Sequence, residues 1–466
     1  MTRTPQLLPL LVAAIAVSLS AAAAAASNTT TSSHPGRLQG LLAQVWRWRE
    51  RHLADPSSRP GSGSAPGVRP NTVAAWVLSF LAASVSSAGG VGGGSLFLPI
   101  LNLVAGLSLK RATAYSSFMV TGGAASNVLY NLACTGGGGQ LIDYDIALLF
   151  QPCLLLGVSI GVVCNVMFPE WLITVLFSLF LVCCTAKTCR AGLKIWRSES
   201  DRGGARAGAA RRAHPSTEEP LLLPCDTSDA EDGNGAGFPW KDVALLVMVW
   251  LCFFALHVLI GDKHGKGVIK IKPCGVAYWL ITLFQLPAAV AFTVYIMYDK
   301  RKKRDVHSQE DGKADLVGAT MESTLPSLTF PLAAFVTGAL GGLFGIGGGL
   351  LLNPVLLQIG IDPQTAAATS SFMVLFCASM SMVQFILLGV KGIGQASVYA
   401  GICFVASVVG AVVIERAVRK SGRVSLIVFL VTAIMALSTV IVTCFGAQDV
   451  WMQFTSGAYM GFKLPC

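Results

Sequence analysis

An all-α, polytopic membrane protein built from two related and inverted units, each carrying a glycine-broken half-helix, is the fold predicted by this sequence of 466 residues. Three observations predict it. Hydrophobic residues make up 53% of the chain and charged residues 12%, with a mean hydropathy of +0.63, whereas about a quarter of residues carry charge in soluble domains. A glycine-broken apolar stretch, Gly90-Val91-Gly92-Gly93-Gly94-Ser95-Leu96-Phe97-Leu98-Pro99, returns as Gly345-Ile346-Gly347-Gly348-Gly349-Leu350-Leu351-Leu352-Asn353-Pro354. Each copy is followed by the same five residues, Ser116-Ser117-Phe118-Met119-Val120 and Ser370-Ser371-Phe372-Met373-Val374. Duplicated segments with helix breakers inside membrane-grade hydrophobicity point to a transporter whose site lies where the repeats meet.

The elements follow in chain order. Residues 1–26 hold Met1-Thr2-Arg3, an apolar run from Leu7 to Leu19 and alanines from Ala21 to Ala26, the layout of a signal peptide. Residues 27–72 form a lumenal or extracellular linker. It contains the sequon Asn28-Thr29-Thr30 and a helical pattern of Leu38, Leu41, Leu42, Val45 and Trp46, among Arg47, Arg49 and Arg51, suited to the membrane interface. The first unit, residues 73–197, contains apolar segments Val73 to Ala88, Leu96 to Val104, Ala112 to Leu132, Ile146 to Phe168 and Leu172 to Thr188. Residues 198–238 form a polar, charge-segregated loop expected to be disordered and cytoplasmic. A connecting helical pair fills residues 239–299, through Val243 to Ile260 and Val276 to Tyr298, before a basic cytoplasmic loop at residues 300–326. The second unit, residues 327–445, contains Leu328 to Leu343, Leu350 to Ile359, Ala366 to Leu388, Ala396 to Ile414 and Val424 to Phe445, and residues 446–466 form a tail. Several segments approach the ~20 residues that cross a bilayer as helix. Those beside the glycine motifs are shorter and read as half-helices or hairpins.

Charge gives the orientation. Arg190 to Arg212, Lys300 to Arg304 and Arg416 to Arg423 are the strongest Lys/Arg concentrations, so they lie in the cytoplasm. Counting spans from them, the first glycine segment enters and leaves from outside and the second from inside. The loop with Lys263, Lys266, Lys270 and Lys272 runs against this assignment. The net charge of +10 resides in loops without a basic stripe interleaved with aromatics, which favours lipid headgroups over nucleic acid as the partner. The 13 cysteines form no paired metal-binding spacing and read as small buried hydrophobes, so no metal or cofactor is implied.

The repeated motifs offer chemistry for an anion. Irregular backbone survives at membrane depth only where protein covers it or where it lines a polar cavity. Gly92, Gly93, Gly94 and Gly347, Gly348, Gly349 allow close approach, and half-helices starting at Leu96 and Leu350 would aim positive dipole ends at one place. Pro99 and Pro354 suit the first turns of such helices. The hydroxyls of Ser116, Ser117, Thr369, Ser370 and Ser371 and the amide of Asn353 add neutral donors. The same glycines also suit close helix packing. A soluble nucleotide-binding loop is a poorer reading, with no preceding strand, no Lys-Ser/Thr ending and no ribose-binding acid in a βαβ frame.

The paired Gly-x-Gly-Gly-Gly and Ser-Ser-Phe-Met-Val segments resemble the TauE/SafE sulfite-exporter family of anion permeases over roughly Val73 to Phe445. The signal-like start, the Ser198 to Phe238 loop and the basic Lys300 region resemble its longer, plant-type members. The resemblance implies passage of sulfite, a sulfonate or a related organosulfur anion, without a prosthetic group. For ion coupling the candidates are His257, Asp143, Asp145 and Glu415, and Lys110 with Arg111 stands where an anion would enter or a headgroup would anchor. Glu218, Leu222 and Leu223 resemble an acidic dileucine signal that sorting adaptors read. The expected protein is a secretory-pathway membrane permease of endomembrane, vacuolar or plasma membrane, working by alternating access. A structural or receptor-like membrane protein is the alternative. An intramembrane enzyme lacks a converging nucleophile, base or metal cluster.

Overall fold

The computed structural model describes residues 70–88, 93–134, 142–209, 239–260, 276–310, 329–359, 361 and 363–421, with scattered positions between 432 and 461. The signal-like segment, the linker helix and sequon, Gly92, the dileucine residues and the Lys263 to Lys272 loop lie outside the described residues. The first unit contains α1 (Pro70–Ala88), α2 (Gly94–Pro99), a π-helical turn (Ile100–Val104), α3 (Leu109–Cys134), α4 (Tyr144–Met167) and α5 (Glu170–Ala209). Helices α6 (Trp240–Ile260) and α7 (Val276–Glu310) connect it to α8 (Thr329–Phe344), α9 (Gly349–Ile359), α10 (Pro363–Leu387) and α11 (Ile393–Ser421). Described positions between 432 and 447 are also helical.

Local chemistry sets the helix ends. Asp143 caps α4, its carboxylate accepting from the amides of Asp145 and Ile146 at 3.0 and 3.1 Å. Pro169 separates α4 from α5 and lends its carbonyl to the amides of Leu172 and Ile173. Pro99 brings no N–H to the helix it sits in, and the chain beyond it widens into the π-helical turn, closed by Ala105 N–H donating to Ile100 O at 3.2 Å. Counting α2 with this turn, both half-helices run over the stretches expected for them, with starts at Gly94 and Gly349 rather than Leu96 and Leu350. Two helices outrun their apolar segments. Helix α5 continues to Ala209, so residues 198–209 of the segment expected to be disordered are helical; its prolines begin only at Pro215, and Glu199, Arg202 and Arg206 favour helix. Helix α7 likewise carries the basic run to Glu310.

Among the described residues, six helices are long and apolar enough to cross a membrane: Tyr144–Met167, Glu170–Arg190, Trp240–Leu259, Leu280–Asp299, Thr365–Leu387 and Ile393–Val413. Helix α3 is 26 residues long but rich in Ser, Thr, Gly and Ala, because α10 and α11 cover it instead of lipid. The first helix of each unit packs along the fourth of the other, α1 on α11 and α8 on α4, while α3 and α10 pack on each other. The α4–α8 contact is a glycine seam. A Cβ at Gly157 or Gly161 of α4 would strike the carbonyls of Phe335 or Ala339, and one at Gly338 or Gly342 of α8 those of Leu154 or Val158. At the α1–α11 contact Gly410 meets the Ser84 carbonyl in the same way. Phe177 and Phe180 of α5 hold Phe344 at the end of α8, with ring centroids 5.1 and 5.3 Å apart. The outer face of α7 stays uncovered, Leu280, Leu283 and Phe284 being exposed as lipid-facing side chains are.

Candidate functional site

The two glycine motifs adopt one geometry where both are described. Gly93 and Gly348 take left-handed backbone angles, φ 70° and 78°, which glycine adopts without strain. The Gly93 carbonyl accepts from Leu96 and Phe97 amides at 3.0 and 3.3 Å, and the Gly348 carbonyl from Leu351 and Leu352 at 3.0 and 3.1 Å. Each thereby starts its half-helix. Neither the Gly347 nor the Gly348 amide donates to a backbone carbonyl among the described residues.

The motifs also touch. A Cβ on Gly94 would fall on the backbone of Ile346, at 2.5 Å from its Cα. Ser116 Oγ donates to the Gly345 carbonyl at 2.9 Å, and Gly347 lies between the γ-methyls of Val120 and Val374, the last residues of the two Ser-Ser segments. Both Ser-Ser segments therefore meet the second glycine motif at one point inside the protein. Ser116, Ser117, Thr369 and Ser370 are each 0% exposed and Ser371 is 5% exposed, so the junction is closed to both sides. Asn353 stands one turn into α9, half-buried.

Three hydroxyl protons at the junction, those of Ser116, Ser117 and Ser370, are already committed. Ser117 Oγ donates to Ala114 O at 2.7 Å and Ser370 Oγ to Ala367 O at 3.1 Å, the back-bonds that serine makes within helices. An arriving anion would have to turn these hydroxyls, or meet the glycine amides. Two further bonds tie helix ends across the units. Thr369 Oγ1 accepts from the Asp143 amide at 2.9 Å, and Tyr115 OH donates to the Gly392 carbonyl at 3.0 Å. Each links the third helix of one unit to the start of the fourth helix of the other.

Several charged candidates have structural partners. Lys110 Nζ donates to the Val166 carbonyl at 2.7 Å, complementing the negative end of α4. Lys110→Met is accordingly expected to lower stability by about 1 kcal/mol while leaving flux per folded molecule intact, checked by thermal unfolding beside a transport assay. Asp143 is a helix cap, and His257 sits near the end of α6 with Nδ1 2.8 Å from Phe253 O and Nε2 3.5 Å from Gln285 Nε2.

The structure adds residues that the motif comparison passed over. Gln151 of α4 places Nε2 4.0 Å from Cys377 Sγ of α10, and Gln384 Nε2 donates to Ser159 Oγ at 3.3 Å. Asn127 Oδ1 accepts from Ser87 Oγ, whose oxygen also lies 3.1 Å from Ser407 O. The signal was present: Gln151 interrupts the apolar run Ile146 to Phe168, and Gln384 the run Ala366 to Leu388.

Six long apolar helices among the described residues define an integral, multi-pass helical membrane protein. The chain belongs to the sulfite exporter TauE/SafE family, whose model matches residues 2–188 and 242–439 and leaves out the interval holding the Ser198 to Phe238 loop. It is 46% identical over 435 residues to sulfite exporter TauE/SafE family protein 5 of Arabidopsis thaliana, covering 93% of this chain and 94% of that protein. Family proteins 2 and 1 of the same plant are 48% and 47% identical over 407 and 404 residues, each covering 85% of this chain and 88% of the relative. No solved structure gives a significant match.

Proposed function

We propose that the chain is a non-enzymatic permease that moves sulfite, a sulfonate or a related small organosulfur anion by alternating access at the junction of two inverted units. One observation carries this reading: the duplicated motifs, 255 positions apart from Gly90 to Gly345, converge on a closed point where Gly94 meets Ile346 and Gly347 meets Val120 and Val374. A closed site between two symmetric halves is what a carrier passes through while exchanging sides. If the 26-residue α3 crosses the membrane together with α4 to α7, five crossings separate the two glycine motifs, and an odd number would put them on opposite faces. The exchanged packing of α1 on α11 and α8 on α4 agrees with a two-fold relation. Sulfite follows the name borne by the family and these relatives, and sulfonates and related organosulfur anions share its oxyanion chemistry. The signal segment and the Glu218, Leu222, Leu223 motif add a route through the secretory pathway and a sorting address to the proposal.

The test is uptake of radiolabelled sulfite into proteoliposomes under imposed pH and voltage gradients. Flux above that of empty liposomes is expected, reduced about ten-fold in Ser117→Ala or Ser371→Ala protein of unchanged yield, about the effect of losing one charge-assisted hydrogen bond. Absence of flux from folded protein under every gradient contradicts the reading.

A further inference from the structure

Two buried polar atoms on α4 and α10 stand without partners among the described residues. Gln151, in the middle of α4, and Ser381, on α10, are each 1% exposed, and neither Gln151 Oε1 nor Ser381 Oγ has a hydrogen-bond partner among the described residues. Helices α4 and α10 pack together, and Gln151 reaches α10 at Cys377, one turn before Ser381 and on the same face. Ala378, next to Cys377, lies 3.4 Å from where a Cβ on Gly347 would be. The two open groups thus belong to the turns of α4 and α10 next to Ala378, the residue of α10 that faces Gly347. Turning the Gln151 amide over lets its oxygen accept from the Cys377 thiol, and the N–H groups become the open end. In either orientation one end of this buried amide awaits a partner, which buried polar groups in native proteins ordinarily have.

The charge of that partner follows from the surroundings. No Asp, Glu, Lys, Arg or His is among the buried side chains of the described residues, whose polar members are Ser, Thr, Asn and Gln with a few Tyr and Cys, and Gly90 to Pro99 and Gly345 to Pro354 contain no ionisable residue. Lys110, six residues before Ser116, is turned to the Val166 carbonyl. An anion at the junction is thus held by neutral dipoles. Their attraction grows in proportion to the anion's charge, but the cost of leaving water grows with its square, roughly four-fold from a monoanion to a dianion of the same size. A neutral cage therefore discriminates against the second charge.

We infer that Gln151 and Ser381 complete the anion site, and that this site takes a singly charged oxyanion, hydrogen sulfite or a sulfonate, in preference to a dianion such as sulfite or sulfate. Ser381 Oγ–H donates to an oxyanion oxygen, and Gln151 either donates N–H to another or accepts the O–H of hydrogen sulfite. The inference rests on the transport reading above.

Its test compares fluxes of methanesulfonate, a monoanion throughout, sulfate, a dianion, and sulfite at mildly acidic and mildly alkaline pH, all in proteoliposomes of the full chain. Methanesulfonate is expected to move about ten-fold or more faster than sulfate. Sulfite flux should fall toward alkaline pH with the hydrogen sulfite fraction, while methanesulfonate flux holds steady and reports any change in driving force. Ser381→Ala removes a hydroxyl with no partner, so thermal stability should stay level or rise while methanesulfonate flux falls several-fold, a combination that a purely structural serine would not give. Gln151→Leu should raise KM for methanesulfonate. Sulfate carried as fast as methanesulfonate, or both variants transporting at wild-type rates, overturns the inference and leaves the carrier intact. No flux of any of these anions from folded wild-type protein removes the transport reading, and this inference falls with it.

Discussion

Gly345→Ala is expected to lose most of the folded protein, whereas Gly106→Ala is expected to remain folded with a modest loss of stability. The two glycines have nearly the same backbone, φ 64° and 68°, so an alanine at either pays the same left-handed strain of roughly 1–2 kcal/mol. Their surroundings differ. A Cβ at Gly106 meets nothing within 4 Å, while one at Gly345 runs into the carbonyl of Thr113, with the carbonyl carbon and the Thr113 γ-methyl at 3.0 Å. That obstacle is the backbone of α3 and cannot turn aside as a side chain would. Moving Gly345 away also breaks the bond from Ser116 Oγ, worth about 1 kcal/mol and more if the carbonyl is left buried and unpaired. The total, roughly 3 kcal/mol or more, belongs with the large single-mutant effects. Thermal unfolding and monodisperse yield in detergent measure it. Equal losses at the two positions would mean that the contact between the glycine motif and α3 is not made as described.

Tyr115→Phe and Thr369→Val are expected to open the junction toward opposite faces. Lys110 at the start of α3 reaches Val166 at the end of α4, so the nearby Tyr115–Gly392 bond lies toward the C-terminal end of α4. The Thr369–Asp143 bond lies at the N-terminal end of the same helix. With 24 residues, α4 is about 36 Å long at 1.5 Å per residue, enough to put the two bonds near opposite faces. Each substitution removes one bond worth about 1 kcal/mol, which shifts a two-state ratio by about five-fold. A cysteine placed at Ser117, in a chain whose native cysteines have been replaced, reports the shift through its labelling by a membrane-impermeant thiol reagent from either side. Labelling should rise from the Tyr115 face in Tyr115→Phe and from the other face in Thr369→Val. A rise on the same face in both, or in neither, would contradict a carrier closed by two opposed bonds.

The sequence made the membrane class and the helix order legible for physical reasons. Apolar run lengths mark spans, and residues such as Asp143, Pro169 and Gly93 act on chain neighbours, so their effects lie within a few positions. Partnerships across the units were not legible. Ser116 with Gly345 and Thr369 with Asp143 span 229 and 226 residues, and nothing in either segment alone specifies the other. The direction of the hydroxyls was hidden too, since Ser117 and Ser370 look like free donors until their own helix carbonyls are seen to take the protons. Helix length past the apolar segments depended on where proline first occurs, and averaging charge and composition over residues 198–238 concealed the helical start before Pro215. Gln151 was visible as a polar interruption, but its importance comes from α10 facing it.

The central claim is that the two copies of the motif build one site and not two. Equilibrium binding of radiolabelled methanesulfonate to purified, folded chain measures this directly, with wild-type, Ser117→Ala and Ser371→Ala proteins compared. The account predicts one anion bound per chain and a weakening of that single site by either substitution. Two anions per chain, or a substitution that abolishes half of the capacity and leaves the other half at full affinity, would contradict it.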